Sequence, residues 1–81
     1  MTIKRADALE QQLEQLADRI CVEHKEAMQS PRTSLRHAIR AGEWLIKAKD
    51  LLPRGQWLPW LEANCPGISD RTAQVYMRLG H

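Results

Sequence analysis

Arg71, Gln74 and Arg78 recur at i, i+3 and i+7 near the C-terminal end of this 81-residue chain. On a helix that spacing puts all three on one face. A guanidinium pairs bidentately with guanine, and a Gln amide with adenine. Asp70 stands just ahead of them, at an expected helix start. There the macrodipole favours an acid, which can also accept from cytosine N4 and repel phosphate. Every surface helix has a polar face, however. The residue types matter only if the elements beneath them aim the row at a groove.

The segment that must do so runs from Glu62 to Arg78 and reads E-A-N-C-P-G-I-S-D-R-T-A-Q-V-Y-M-R. Its spacing is that of a helix-turn-helix. Ala63 is expected to let two helices approach closely, and Gly67 to take positive φ in the turn. Ile68 should point inward. Ser69 should cap the second helix by accepting from a free backbone N–H, and is a further contact candidate at the helix start. Thr72, Ala73, Tyr76 and Leu79 form the expected inward face, and Gly80 the C-terminal stop. A plain helical hairpin with Gly in its turn would show much the same residues.

Three more helices are readable upstream. The first spans about Arg5 to Met28, with Leu9, Leu13, Leu16 and Ile20 in one stripe. Ser30 suits an N-cap and Pro31 a first helical position, which opens a second helix running to about Leu52. Leu35, Ile39, Gly42 and Ile46 line one of its faces, widened by Trp44, Leu45, Ala48, Leu51 and Leu52. A band this broad predicts a central helix with neighbours on two sides. Gly42 costs about 1 kcal/mol relative to Ala inside a helix, and a close crossing is the usual compensation. Pro53-Arg54-Gly55 reads as a turn, followed by a short helix over Gln56–Asn64 that tolerates Pro59 in its first turn. The expected fold is all-α: an amphipathic helix over residues 1–30, then a helix-turn-helix domain over 31–81.

Charge is uneven. Residues 1–30 carry six acids against four bases, whereas 31–81 carry eight bases against four acids. The excess of positive charge falls where a nucleic-acid footprint needs it, and Arg36 and Arg40 of the second helix are further candidates for phosphate contact. No apolar run is long enough to span a membrane, and no cleavable signal pattern opens the chain. A reducing cytoplasm is therefore expected, with Cys21 and Cys65 as small apolar core residues. Cys21 and His24 lie one turn apart, but no tight ligand pair accompanies them, so neither a metal nor any other cofactor is expected. No nucleophile–base motif or phosphate loop suggests an enzyme. Trp44, Trp57 and Trp60 are expected in the core; one left exposed would mark a partner surface.

The stretch Gly42–Leu79 resembles the family called domain of unknown function 3102. The shared features are Gly42-Glu43, Ala48-Lys49, Gly55 with Trp57, Pro59-Trp60-Leu61-Glu62, Asn64-Cys65, and the run from Ser69 to Arg78. Pro66-Gly67 departs from the single-Gly or Gly-Phe-like turn common there. The resemblance covers roughly residues 8–80. It implies a phage, prophage or plasmid protein with a helix-turn-helix-like C-terminal half. Many members are longer than this chain.

Two functions from different classes follow as expectations. In one, the chain binds double-stranded DNA through Ser69, Asp70, Arg71, Gln74 and Arg78, helped by Arg36 and Arg40, and regulates transcription. It would act as a homodimer joined through Leu9, Leu13, Leu16 and Ile20, unless that stripe packs inside the monomer against Leu35, Ile39 and Ile46. In the other, the scaffold binds a host protein and inhibits or redirects it, as anti-CRISPR proteins do. The acidic first half and the tryptophans would then be the working surface, with Arg71 and Arg78 tied up in salt bridges.

Overall fold

The apolar stripe of the first helix has to be covered, and the second helix covers it. The computed structural model describes residues 5–81, which form α1 (Arg5–Gln29), α2 (Ser34–Leu51), α3 (Trp57–Asn64) and α4 (Asp70–Gly80). Leu13, Leu16, Ala17 and Ile20 of α1 are buried in one cluster with Ala38, Ala41, Leu45 and Ala48 of α2. Ile20 and Leu45 are fully enclosed. Burying such a side chain contributes roughly 1.5–3 kcal/mol. The core is thus shared across the division expected near residue 30. The stripe expected to join two copies is spent inside one chain, so a dimer needs a different surface.

Two polar contacts fix α1 in register. His24 Nδ1 lies 2.7 Å from the Tyr76 hydroxyl, and their rings meet edge-on at 5.7 Å between centroids, tying α1 to α4. His37 Nδ1 lies 2.6 Å from Glu23 Oε1, tying α1 to α2. Both histidines are therefore occupied by partners within the fold.

The central position of α2 follows from small residues on two of its flanks. On the α4 side, a Cβ added to Gly42 would lie 1.7 Å from the Tyr76 carbonyl oxygen. A Cβ on Gly80 would lie 2.6 Å from the backbone N of Glu43 and 2.8 Å from the Ile39 carbonyl oxygen. Backbone meets backbone here, which explains a glycine inside a helix. Gly80 is accordingly not the expected stop signal; it belongs to the last turn of α4 and completes the crossing.

The boundaries differ from expectation at one joint. The Ser30 N–H donates to the Glu26 carbonyl at 2.9 Å, so Ser30 closes α1 rather than opening α2. Residues 31–33 form a turn, and α2 begins at Ser34 after Thr33, whose side chain makes no cap bond. Leu35, one turn before the crossing, is 60% exposed instead of lining the core. At its other end α2 stops because Leu52 precedes Pro53, which favours the extended backbone seen there (φ −88°, ψ 141°). Gly55 then takes φ +86° in the following turn, a conformation costly for any residue with a Cβ.

Candidate nucleic-acid interface

The connection from α3 into α4 is built by local bonds. The Cys65 N–H donates to the Leu61 carbonyl at 2.8 Å, and the Ile68 N–H to the Cys65 carbonyl at 2.9 Å, which curls the chain back on itself. Ile68 points inward and is buried, as its apolar side chain requires. Ser69, with extended backbone, accepts from the Thr72 N–H at 3.1 Å and donates its own proton to Thr72 Oγ1 at 3.0 Å. Losing this cap in Ser69→Ala is expected to cost about 1 kcal/mol, read as a lower urea midpoint with an unchanged slope.

Two parts of the expected turn geometry are wrong. Gly67 does not have positive φ, and a Cβ there would meet only open space. Ala63 is exposed rather than wedged between helices. Ile68 and the Ser69 cap shape the turn, and the close approach lies at Gly42 and Gly80. It is therefore α2, lying across the back of α4, that aims α4 outward.

Ala73 and Tyr76 form the buried face of α4, and Met77 packs against the same core. Leu79, expected inside, is 42% exposed. Arg71, Gln74 and Arg78 all face solvent, as their spacing predicts. Gln74 Nε2 donates to Asp70 Oδ2 at 3.0 Å. Asp70 thus orients Gln74, leaving its amide oxygen and second N–H free to pair. Neither Arg71 nor Arg78 has an ion-pair partner among the described residues, where the one ion pair is His37–Glu23.

Two residues join this face that spacing alone did not single out. Val75, 47% exposed, sits between the arginines, where a thymine methyl group would find an apolar contact. Lys49 of α2 lines a shallow groove with Gln74 and Arg78, and Asp50 borders the same groove. The exposed valine was visible in the helical period; the neighbourhood of Lys49 follows only from the antiparallel crossing. Arg36 and Arg40 are exposed and stand on the face of α2 opposite its buried row of Ala38, Ala41, Leu45 and Ala48.

The tryptophans are half-buried; Trp44 and Trp57 are capped by cations, and Trp60 stacks on Trp57. The Arg19 guanidinium and the Lys47 ammonium each lie 5.7 Å from the Trp44 ring centroid. Trp57 and Trp60 stack at 5.9 Å, with the Lys49 ammonium 5.9 Å from the Trp57 ring. Cys65 is buried as expected, but Cys21 is exposed, with its sulfur 3.9 Å from that of Cys65. Among the described residues no three His, Cys, Asp or Glu side chains converge as a metal site would need, and no helix is long and apolar enough to cross a membrane.

Comparison with known proteins returns no curated protein and no solved structure that matches the chain. A family model does match, over residues 14–81, from the third turn of α1 through the whole of α4. That span includes both glycines of the crossing, the turn and the whole exposed row. The chain therefore belongs to the family described as protein of unknown function (DUF3102).

Proposed function

We propose that this protein binds double-stranded DNA, with α4 seated in the major groove. The observation that carries the reading is the outer face of α4, where Arg71, Gln74 and Arg78 are exposed and both arginines lack an ion-pair partner among the described residues. A free arginine row on a helix braced from behind by a backbone-to-backbone crossing suits a rigid reading head. Arg71, Gln74 and Val75 are assigned to base edges. Arg78 and Lys49, which share a groove with Gln74, are assigned to the flanking phosphates. Asp70 orients Gln74, and Ser69 contributes from the helix start. Regulation of transcription on a phage- or plasmid-type element, in the cytoplasm, belongs to the same proposal.

The test is a gel-shift titration on duplexes from the gene's own neighbourhood, repeated across salt concentrations. With the two phosphates at Arg78 and Lys49 neutralised, log affinity should fall against log salt with a slope near −1.8, or about 12-fold between 50 and 200 mM. Absence of salt-sensitive binding to any duplex at micromolar protein would overturn the proposal. Capture of a stoichiometric host protein with no DNA retained would favour the protein-binding alternative. The half-buried tryptophans, two of them capped by cations, give that alternative less support than an open aromatic patch would.

A further inference from the structure

The chain has two cysteines, 44 positions apart in sequence, on α1 and at the end of α3. The fold brings their sulfur atoms to 3.9 Å, in van der Waals contact, with the Cys21 thiol also 3.7 Å from the Asn64 carbonyl oxygen. Their environments differ in a useful way. Cys21 is exposed, whereas Cys65 is 1% exposed. A disulfide bond is about 2 Å long. Closing the gap therefore takes a movement of about 2 Å, within reach of a side-chain rotation at the exposed Cys21.

We propose that Cys21 and Cys65 form a dithiol site that a low-molecular-weight disulfide, such as oxidised glutathione, converts to an intrachain bond. The Cys21 thiolate attacks one sulfur of the oxidant and expels a glutathione thiolate, leaving a mixed disulfide on α1. The Cys65 thiolate then attacks the Cys21 sulfur, the mixed disulfide breaks, and the second glutathione thiolate leaves. The two protein thiols give up two electrons to the oxidant's disulfide, and their two protons end on the two glutathione thiols or in solvent. Burial, and then the neighbouring Cys21, push the Cys65 thiol up to about 12, so Cys21 is the sulfur that meets the oxidant. Cys65 acts second, as the resolving thiol, because only the adjacent Cys21 sulfur is within its reach.

The bond would fasten α1 to Cys65, the residue that ends α3 and begins the turn into α4. It would also close a long loop of chain and so restrict the unfolded state. This inference stands apart from DNA binding and survives or fails without it.

The experiment takes the full reduced chain, removes reductant and adds oxidised glutathione. Products are read by intact mass, non-reducing electrophoresis and thermal melting with and without dithiothreitol. The expected wild-type product is a monomer lighter by two hydrogens, with no glutathione attached and a melting midpoint raised by about 10 °C. Cys65→Ala should instead stop with one glutathione on Cys21, and Cys21→Ser should take up none while folded. Should Cys65→Ala fail to fold, the wild-type product still decides. Wild type that keeps glutathione on Cys21 beside a free Cys65, or that links mainly into Cys21–Cys21 dimers, overturns the proposal. So does an intrachain bond that leaves the midpoint unchanged or lower.

Discussion

Gly42→Ala is expected to lower stability by about 3 kcal/mol or more, enough to leave much of a domain this small unfolded at room temperature. Helix propensity alone predicts the opposite sign, because Ala is favoured over Gly by about 1 kcal/mol inside a helix. The crossing reverses it. The new methyl carbon would lie 1.7 Å from the Tyr76 carbonyl oxygen and 2.5 Å from its carbon, and backbone atoms in a hydrogen-bonded helix cannot swing aside as a side chain can. Relief requires α2 and α4 to part, which uncovers Ala73 and Tyr76. Gly80→Ala presses on the same crossing from the other side and should act in the same direction. Gly67→Ala is the control, since it meets open space without positive φ and should change stability by less than about 1 kcal/mol. Urea unfolding followed by circular dichroism reads all three. A Gly42→Ala protein as stable as wild type would mean that α2 and α4 do not cross here.

Replacing Arg71 and Arg78 together with Ala is expected to weaken DNA binding about 100-fold at low salt, if each contact contributes about 1.4 kcal/mol. Any phosphate contact among them should also flatten the salt slope by about one unit. Thermal stability should hold, because both side chains are exposed and have no ion-pair partner among the described residues. That separation matters: a variant that loses DNA while keeping its melting midpoint has lost the contact and not the fold. Arg36→Ala with Arg40→Ala removes the same charge from the opposite face of α2 and should weaken binding less than about threefold through the long-range field alone. If the two double variants weaken binding equally, the protein attracts DNA by overall charge and α4 is not the reading element.

What the sequence by itself determined are the features whose causes lie within a turn or two of chain. The spacing of Leu13, Leu16 and Ile20 specified the buried face of α1, and Ser69 specified where α4 begins, because a cap bond reaches only three residues. Arg71, Gln74 and Arg78 were legible as one exposed row for the same reason, since helical period alone decides which residues share a face. Even local signals failed where two elements competed for one residue. Ser30 reads as a cap for α2, yet its N–H closes the last turn of α1. Gly67 reads as a positive-φ turn, yet Ile68 burial and the Ser69 cap shape that turn without it. Only the tertiary structure decided which helices meet, and therefore what the glycines are for. Gly42 announced a close crossing without naming its partner, and Gly80 passed for a stop signal until it proved to be the other half. The same antiparallel crossing put Lys49 beside Gln74 and Arg78, while the packing of α2 on α1 turned the stripe of Leu13, Leu16 and Ile20 from a dimer seam into core. The meeting of Cys21 and Cys65 belongs with these. Contacts between residues tens of positions apart depend on how the helices dock, and docking is set by the summed shape of many side chains, which no short-range spacing records.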